Sequence, residues 1–209
     1  MPATPEPCLL PLILASTSRY RKALLSRLGL PFECLSPHVD ETPLAGEQPL
    51  ALAQRLGLAK AQAVAATHPQ AFVIGSDQVL DLNGQCLGKP GNHANAVTQL
   101  RSLRGQTVHF HSAVTVMHAG RAVSSVSTID VRYKPFTDAH IEAYLRIDQP
   151  YDCAGSAKSE ALGIALCESI CSDDPTALEG LPLTHTLRLL ESLGFDVFAQ
   201  LALHRKANA

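Results

Sequence analysis

The sequence predicts a single mixed α/β domain, and three observations predict it. Short apolar segments alternate with helical patterns along the chain. A long alternating stretch, Gln106–Tyr133, is broken only by Ala119-Gly120 and predicts an antiparallel hairpin. No internal repeat and no Pro/Gly/Ser-rich linker divides the 209 residues, which are enough to bury a substantial core.

Composition narrows the class. Hydrophobic residues make up 46% and charged residues 17%, as in soluble globular proteins. A net charge of −2 gives no basic footprint for nucleic acid. No apolar run approaches a bilayer-spanning length. Six cysteines form no Cys-x-x-Cys pair and follow no secretory signal, so reduced thiols and a cytoplasmic location are expected.

Residues 1–8 are Pro-rich and are expected to be a loose leader. Leu9–Ala15 predicts a strand, followed at once by Ser16-Thr17-Ser18 and a helix from Arg19 to Leu28 that Gly29 closes. Strand, hydroxyl cluster and helix start form an anion site by construction, because free backbone N–H groups point outward there. Ser16 or Ser18 would serve equally as an ordinary N-cap. Basic Arg19, Arg21 and Lys22 oppose the helix dipole, and so favour a bound negative charge.

Pro31–Leu35 predicts a second strand, ending in a loop that carries Asp40 and Glu41. Gln48–Thr67 predicts a long amphipathic helix. Lys60 lies among its alanines, placed either to snorkel to solvent or to reach a buried anion. Phe72-Val73-Ile74 starts a buried strand whose apolar pattern breaks at Gly75-Ser76-Asp77-Gln78 and resumes at Val79. Gly75 allows a close backbone approach. Asn83-Gly84 signals a hairpin that returns through Gln85–Leu87 to Gly88-Lys89-Pro90. Taken alone, Asp77 is either a turn cap or a functional acid.

His93–Leu103 predicts a helix stopped by Gly105, and Ala139–Ile147 another, capped by residues 135–138. His109 and His111 share one strand face, a spacing open to metal; with no third ligand nearby, a structural or exposed pair is the better reading. Residues 149–164 form a polar, Gly-punctuated stretch of the kind that carries function. A last strand is expected over Ile164–Ile170, a turn at Asp173-Asp174-Pro175, a helix over Leu183–Leu193, and a frayed tail over 199–209.

Six stretches together resemble one family: residues 14–25 (LASTSRYRKALL), 39–43 (VDETP), 75–79 (GSDQV), 88–90 (GKP), 153–160 (CAGSAKSE) and 180–183 (GLPL). In this order, spread over residues 10–195, they resemble the Maf family of nucleoside triphosphate pyrophosphatases. They are most similar to its YceF-type branch, associated with 7-methyl-GTP. The branch acting on dTTP and UTP typically has Asp-Thr where this chain has Asp77-Gln78. The resemblance implies an elongated mixed β-sheet flanked by helices with a central cleft, a divalent cation (Mg²⁺ or Mn²⁺), and a homodimer. It implies attack of water on the α-phosphate, releasing pyrophosphate. By motif position Asp77 would accept the proton; Tyr20, Gln78 and Glu160 would set base specificity; Ser16, Arg21, Glu41, Lys60 and Lys89 would meet phosphate or metal. Arg19 stands where the family usually has proline, which alters the first helical turn or adds a phosphate contact.

The residues make chemical sense of that implication. Arg21, Lys60 and Lys89 supply positive charge to a triphosphate and to the pyrophosphate leaving group. Glu41 and Asp77 offer hard oxygen ligands for the metal. N7-methylguanine is a cationic ring with two adjacent donors, which suits the aromatic face of Tyr20 and the carboxylate of Glu160. Two other readings remain: a pyrophosphatase for inosine-type or canonical triphosphates, and a non-enzymatic nucleotide-binding regulator of cell division.

Overall fold

A computed structural model of the chain describes residues 8–207. Apart from Cys8, the expected leader lies outside the described residues. In chain order the elements are β1 (Leu12–Ala15), α1 (Arg19–Ser26), β2 (Glu33–Leu35), α2 (Pro49–Ala65), β3 (Phe72–Leu82), β4 (Gln85–Leu87) and α3 (His93–Leu103). They continue with β5 (Thr107–His118), β6 (Arg121–Tyr133), α4 (Asp138–Asp148), β7 (Cys167–Cys171), α5 (Leu183–Ser192) and α6 (Val197–Ala207).

The strands build one mixed sheet in the order β2-β1-β3-β5-β6-β7, with β4 paired to the end of β3. β1 runs parallel to both β2 and β3; the remaining pairs are antiparallel. β3, β5 and β6 are unusually long at 11, 12 and 13 residues. At the rise of an extended chain each spans about 40 Å.

That length lets one sheet serve two apolar clusters. Phe72 and Ile74 of β3 pack with Leu24, Leu25, Val114, Val116 and Phe195 at one end. Leu80 packs with Leu100, Leu103, Phe110, Ile129 and Tyr144 at the other. Between them, on the same face, stand Ser76 and Gln78. β3 does not break at these polar residues, because their polar atoms are satisfied. Ser76 Oγ donates to the carbonyls of Ala113 (2.8 Å) and Gly180 (3.2 Å). Gln78 Nε2 shares its hydrogens among Ser112 Oγ, Ala177 O and Leu178 O at 2.9–3.0 Å. Residues 177–180 thus fill the middle of the sheet face with carbonyl groups.

The opposite face carries Val73, Gly75, Asp77 and Val79, by strand alternation, and α2 lies across it. The approach depends on absent side chains. A Cβ on Gly75 would stand 2.4 Å from Ala61 N and Gly57 O of α2, and one on Gly57 would stand 3.5 Å from Ala113. Small residues at these points bring Lys60 down onto the strand.

Three expectations shift. The last strand is Cys167–Cys171, and Leu162–Leu166 before it is a 3₁₀ turn. The first strand starts at Leu12, three residues later than Leu9. Most of the expected frayed tail 199–209 is helical, within α6. Its polar composition hid two anchors: buried Gln200, whose Oε1 accepts Leu10 N at 2.8 Å, and Leu201, which packs on the first cluster. His109 is partly exposed, its Nδ1 2.7 Å from Asp130 Oδ1, whereas His111 is buried, its Nδ1 3.0 Å from Thr128 Oγ1.

Candidate functional site

A cleft of about 880 Å³ opens between the two halves of the molecule, and all nine residues expected at a site line it: Ser16, Tyr20, Arg21, Glu41, Lys60, Asp77, Gln78, Lys89 and Glu160. They come from six separate stretches of chain.

Its floor is a buried ion cluster. Lys60 and Asp77 are 4% and 6% exposed, and Lys60 Nζ donates to Asp77 Oδ1 at 2.7 Å. The same ammonium meets Glu41 Oε1 at 2.6 Å. Arg21 Nη2 stands 3.9 Å from Asp77 Oδ1. The lysine therefore reaches a buried anion and does not snorkel.

Each member is held from behind. Arg21 follows the helix start: the Ser18 side chain caps α1 by accepting Arg21 N, and Ser16 Oγ accepts Ser18 N at 3.1 Å. Arg21 Nε donates to the Gly180 carbonyl at 2.9 Å. Glu41 sits in a loop pinned by Arg55 of α2, which bonds Thr42 O at 3.1 Å and Glu47 at 2.6 and 2.8 Å. Asp40 turns away and caps Thr42 N at 2.9 Å, which separates the roles of the adjacent acids. Lys89 is exposed on a turn fastened to α3, where Gln99 Nε2 donates to Gly88 O and Asn95 Nδ2 to Pro90 O.

Partial burial works against the Glu41 carboxylate, but Lys60, with Arg21 and Lys89, outweighs it and holds its pKa below the ordinary value. Glu41 is thus an anion facing three cations. Its oxygen and that of Asp77 converge on one ammonium, so the two carboxylates could share a divalent ion. Among the described residues no group of three or more acidic, His or Cys side chains could hold a metal. Two carboxylates fit an ion completed by substrate phosphates, as Mg²⁺ is commonly held.

The amide nitrogen of Gln78 is committed to Ser112 and to the 177–178 carbonyls, which fixes its side chain in the cleft wall. Arg19 lies over the Tyr20 ring and pairs with Asp152. Lys22 is exposed and does not line the cleft.

Sequence reasoning missed two participants. Asp152 had no periodic signal, lying in the irregular 149–164 stretch. Asp174 was read only as part of a turn. It is 1% exposed, and its carboxylate accepts the backbone N–H and hydroxyl of both Thr176 and Thr184 at 2.6–2.8 Å. It thereby fixes the segment whose Gly180 carbonyl holds Arg21.

Comparison with known proteins places these features in a lineage. The family described as Maf-like protein matches residues 11–193. A protein of Polaromonas sp. strain JS666 named 7-methyl-GTP pyrophosphatase is 58% identical, over 93% of this chain and 90% of its own. Proteins of the same name from Thiobacillus denitrificans and Bordetella pertussis are 57% and 55% identical, over 89% and 94% of this chain and 94% and 96% of theirs. Among solved structures, the Staphylococcus aureus Ham1 protein aligns at TM-score 0.48 and 13% identity, over 88% of this chain and 97% of its own.

Proposed function

This chain belongs to the Maf-like protein family, and from that premise we propose that it is a nucleoside triphosphate pyrophosphatase whose substrate is 7-methyl-GTP. It hydrolyses the α–β phosphoanhydride to 7-methyl-GMP and pyrophosphate. The observation that carries the reading is the cluster of Asp77 and Glu41 against Lys60, Arg21 and Lys89 on one cleft wall, in a chain more than half identical to proteins of that name.

Asp77 takes the proton of the attacking water as its oxygen bonds the α-phosphorus and the bond to the bridging oxygen breaks. The electron pair leaves with pyrophosphate. Arg21 and Lys60 are already oriented, so they stabilise the charge that develops there without reorganising, and the exposed Lys89 adds its charge from the turn. Glu41 and Asp77 would hold a Mg²⁺ or Mn²⁺ ion carried in with the phosphates. When bound, that ion supplies further compensation of phosphate charge. Tyr20 offers an aromatic face to the cationic base, and Glu160 accepts from its paired donors.

The family resemblance also supports a homodimer, and the six free cysteines support a reducing, cytoplasmic setting. Among the described residues no helix is long and apolar enough to cross a membrane. The deciding experiment is pyrophosphate release with Mg²⁺ over a panel of 7-methyl-GTP, GTP, ITP, dTTP and UTP. A kcat/KM highest for 7-methyl-GTP is expected. A maximum on dTTP, UTP or ITP overturns the substrate assignment, and no release from any nucleotide overturns the enzymatic reading.

A further inference from the structure

Arg19 does something unusual for a cation at the mouth of an anion-binding cleft. Its guanidinium carbon lies 4.8 Å from the centre of the Tyr20 ring. Its Nη2 donates to Asp152 Oδ2 at 3.0 Å and to Tyr20 Oη at 2.7 Å. Tyr20 Oη in turn donates to Asp152 at 3.2 Å. All three side chains line the same cleft as Glu160.

A guanidinium is a flat, delocalised cation with N–H donors along its edge. N7-methylguanine is also a flat, delocalised cation with N–H donors along one edge. An aromatic face beside a carboxylate recognises both by the same chemistry. We propose that Asp152 is the counter-charge for the cationic base of the methylated nucleotide, and that Arg19 holds the place of that base and is displaced by it. This rests on the 7-methyl-GTP reading above.

Displacement costs little. The Arg19 and Asp152 side chains are 70% and 48% exposed, and water screens an ion pair so exposed until it contributes little. Discrimination is not lost with it. Any base entering must displace the same guanidinium, so that cost cancels between substrates. What remains is the attraction of Asp152 and the Tyr20 face, which a cationic base gains in full and neutral guanine does not. The nearby Arg19 charge keeps Asp152 ionised against its partial burial.

Three proteins test this: the wild type, Asp152→Asn and Arg19→Ala, each assayed for kcat/KM on 7-methyl-GTP and GTP, with thermal unfolding as the folding control. Asparagine keeps an oxygen for Tyr20 Oη and Arg19, so it removes the charge and spares the positioning. Asp152→Asn is expected to lower the 7-methyl-GTP to GTP ratio at least ten-fold. Arg19→Ala is expected to lower KM several-fold for both nucleotides without lowering that ratio. A ratio within two-fold of wild type in Asp152→Asn overturns the inference, as does a raised KM in Arg19→Ala, which would make Arg19 a phosphate ligand. A wild type without preference for 7-methyl-GTP fells the substrate assignment and this inference together; a selective wild type with an unselective loss in Asp152→Asn fells this inference alone.

Discussion

Lys60 Nζ lies 2.7 Å from Asp77 Oδ1, and both residues are more than nine-tenths buried. Burying two charges is expensive, and their attraction roughly offsets the cost; removing one partner leaves the other uncompensated. Lys60→Met therefore strands Asp77 with only Arg21 at 3.9 Å. A loss of about 3 kcal/mol is expected, on the order of 10 °C in Tm at this chain length. The double variant Lys60→Met/Asp77→Leu removes both charges and should recover most of that loss while staying inactive. Unfolding curves of the two decide whether the pair is kept for chemistry or for stability. A double variant less stable than the single one would mean the pair holds the fold.

Asp77→Asn tests the proton acceptor. The amide oxygen still receives Lys60 Nζ, and Glu41 still pairs with that ammonium at 2.6 Å, so the fold should persist. An amide cannot take a proton from water. Pyrophosphate release is expected to fall at least a thousand-fold, with far-ultraviolet circular dichroism unaltered. Turnover within ten-fold of wild type would assign the base elsewhere.

The sequence made the cleft residues legible where chemistry and pattern disagreed. Asp77 stood out as an acid in an apolar strand, and Lys60 as a lysine among alanines; the structure joins them to each other. The β5–β6 hairpin was legible because two β-prone runs flank the Ala119-Gly120 turn, and the second half of β6 alternates buried and exposed residues. The continuity of β3 through Ser76 and Gln78 was not, because it depends on carbonyls of residues 177–180, a hundred positions away. Asp152 and Arg19 were opaque for the same reason: their meeting is 133 residues apart in sequence and leaves no local period. Helix α6 was hidden because a helix anchored only by Val197, Gln200 and Leu201 has a short apolar stripe.

Asp174 gives a pH-dependent prediction. Burial raises the pKa of its carboxyl, but four hydrogen bonds from Thr176 and Thr184 outweigh burial and hold it below the ordinary value. A carboxylate depressed on folding contributes stability above its unfolded pKa, near 4, and loses it as pH falls through the folded value. Asp174→Asn turns an amide end toward N–H and O–H donors and should cost about 2 kcal/mol at pH 7. The gap between variant and wild type should narrow as pH falls below about 4, through the depressed folded value. Denaturant titrations at a series of pH values measure it, and a gap independent of pH would dismiss the charged carboxylate as its source.

Gly75→Ala tests the contact that lowers α2 onto β3. The added methyl would stand 2.4 Å from backbone atoms of Ala61 and Gly57, which cannot swing aside as a side chain would. Overpacking usually costs about 1–3 kcal/mol, and a clash with main chain belongs at or above the top of that range. Separation of the helix from the strand also lengthens the Lys60–Asp77 contact. Activity should thus fall more steeply than stability when kcat and Tm are measured on the same preparation. A variant with wild-type kcat would show that the site tolerates a looser helix.

Glu160→Gln addresses how the base is read. Glu160 is exposed on the cleft wall, in the same loop segment as Asp152. A carboxylate can accept from both the N1–H and the 2-amino group of 7-methylguanine and also attracts its positive charge. Glutamine offers one oxygen, places a donor against a donor, and carries no charge. Losing a charge-assisted pair of hydrogen bonds is worth about 1.5–3 kcal/mol, or ten- to a hundred-fold in kcat/KM. That loss should fall on 7-methyl-GTP, with a smaller loss on GTP and almost none on dTTP, whose base lacks the donor pair. Equal losses on all three nucleotides would remove Glu160 from base recognition and leave Tyr20 and Asp152 to account for the selectivity.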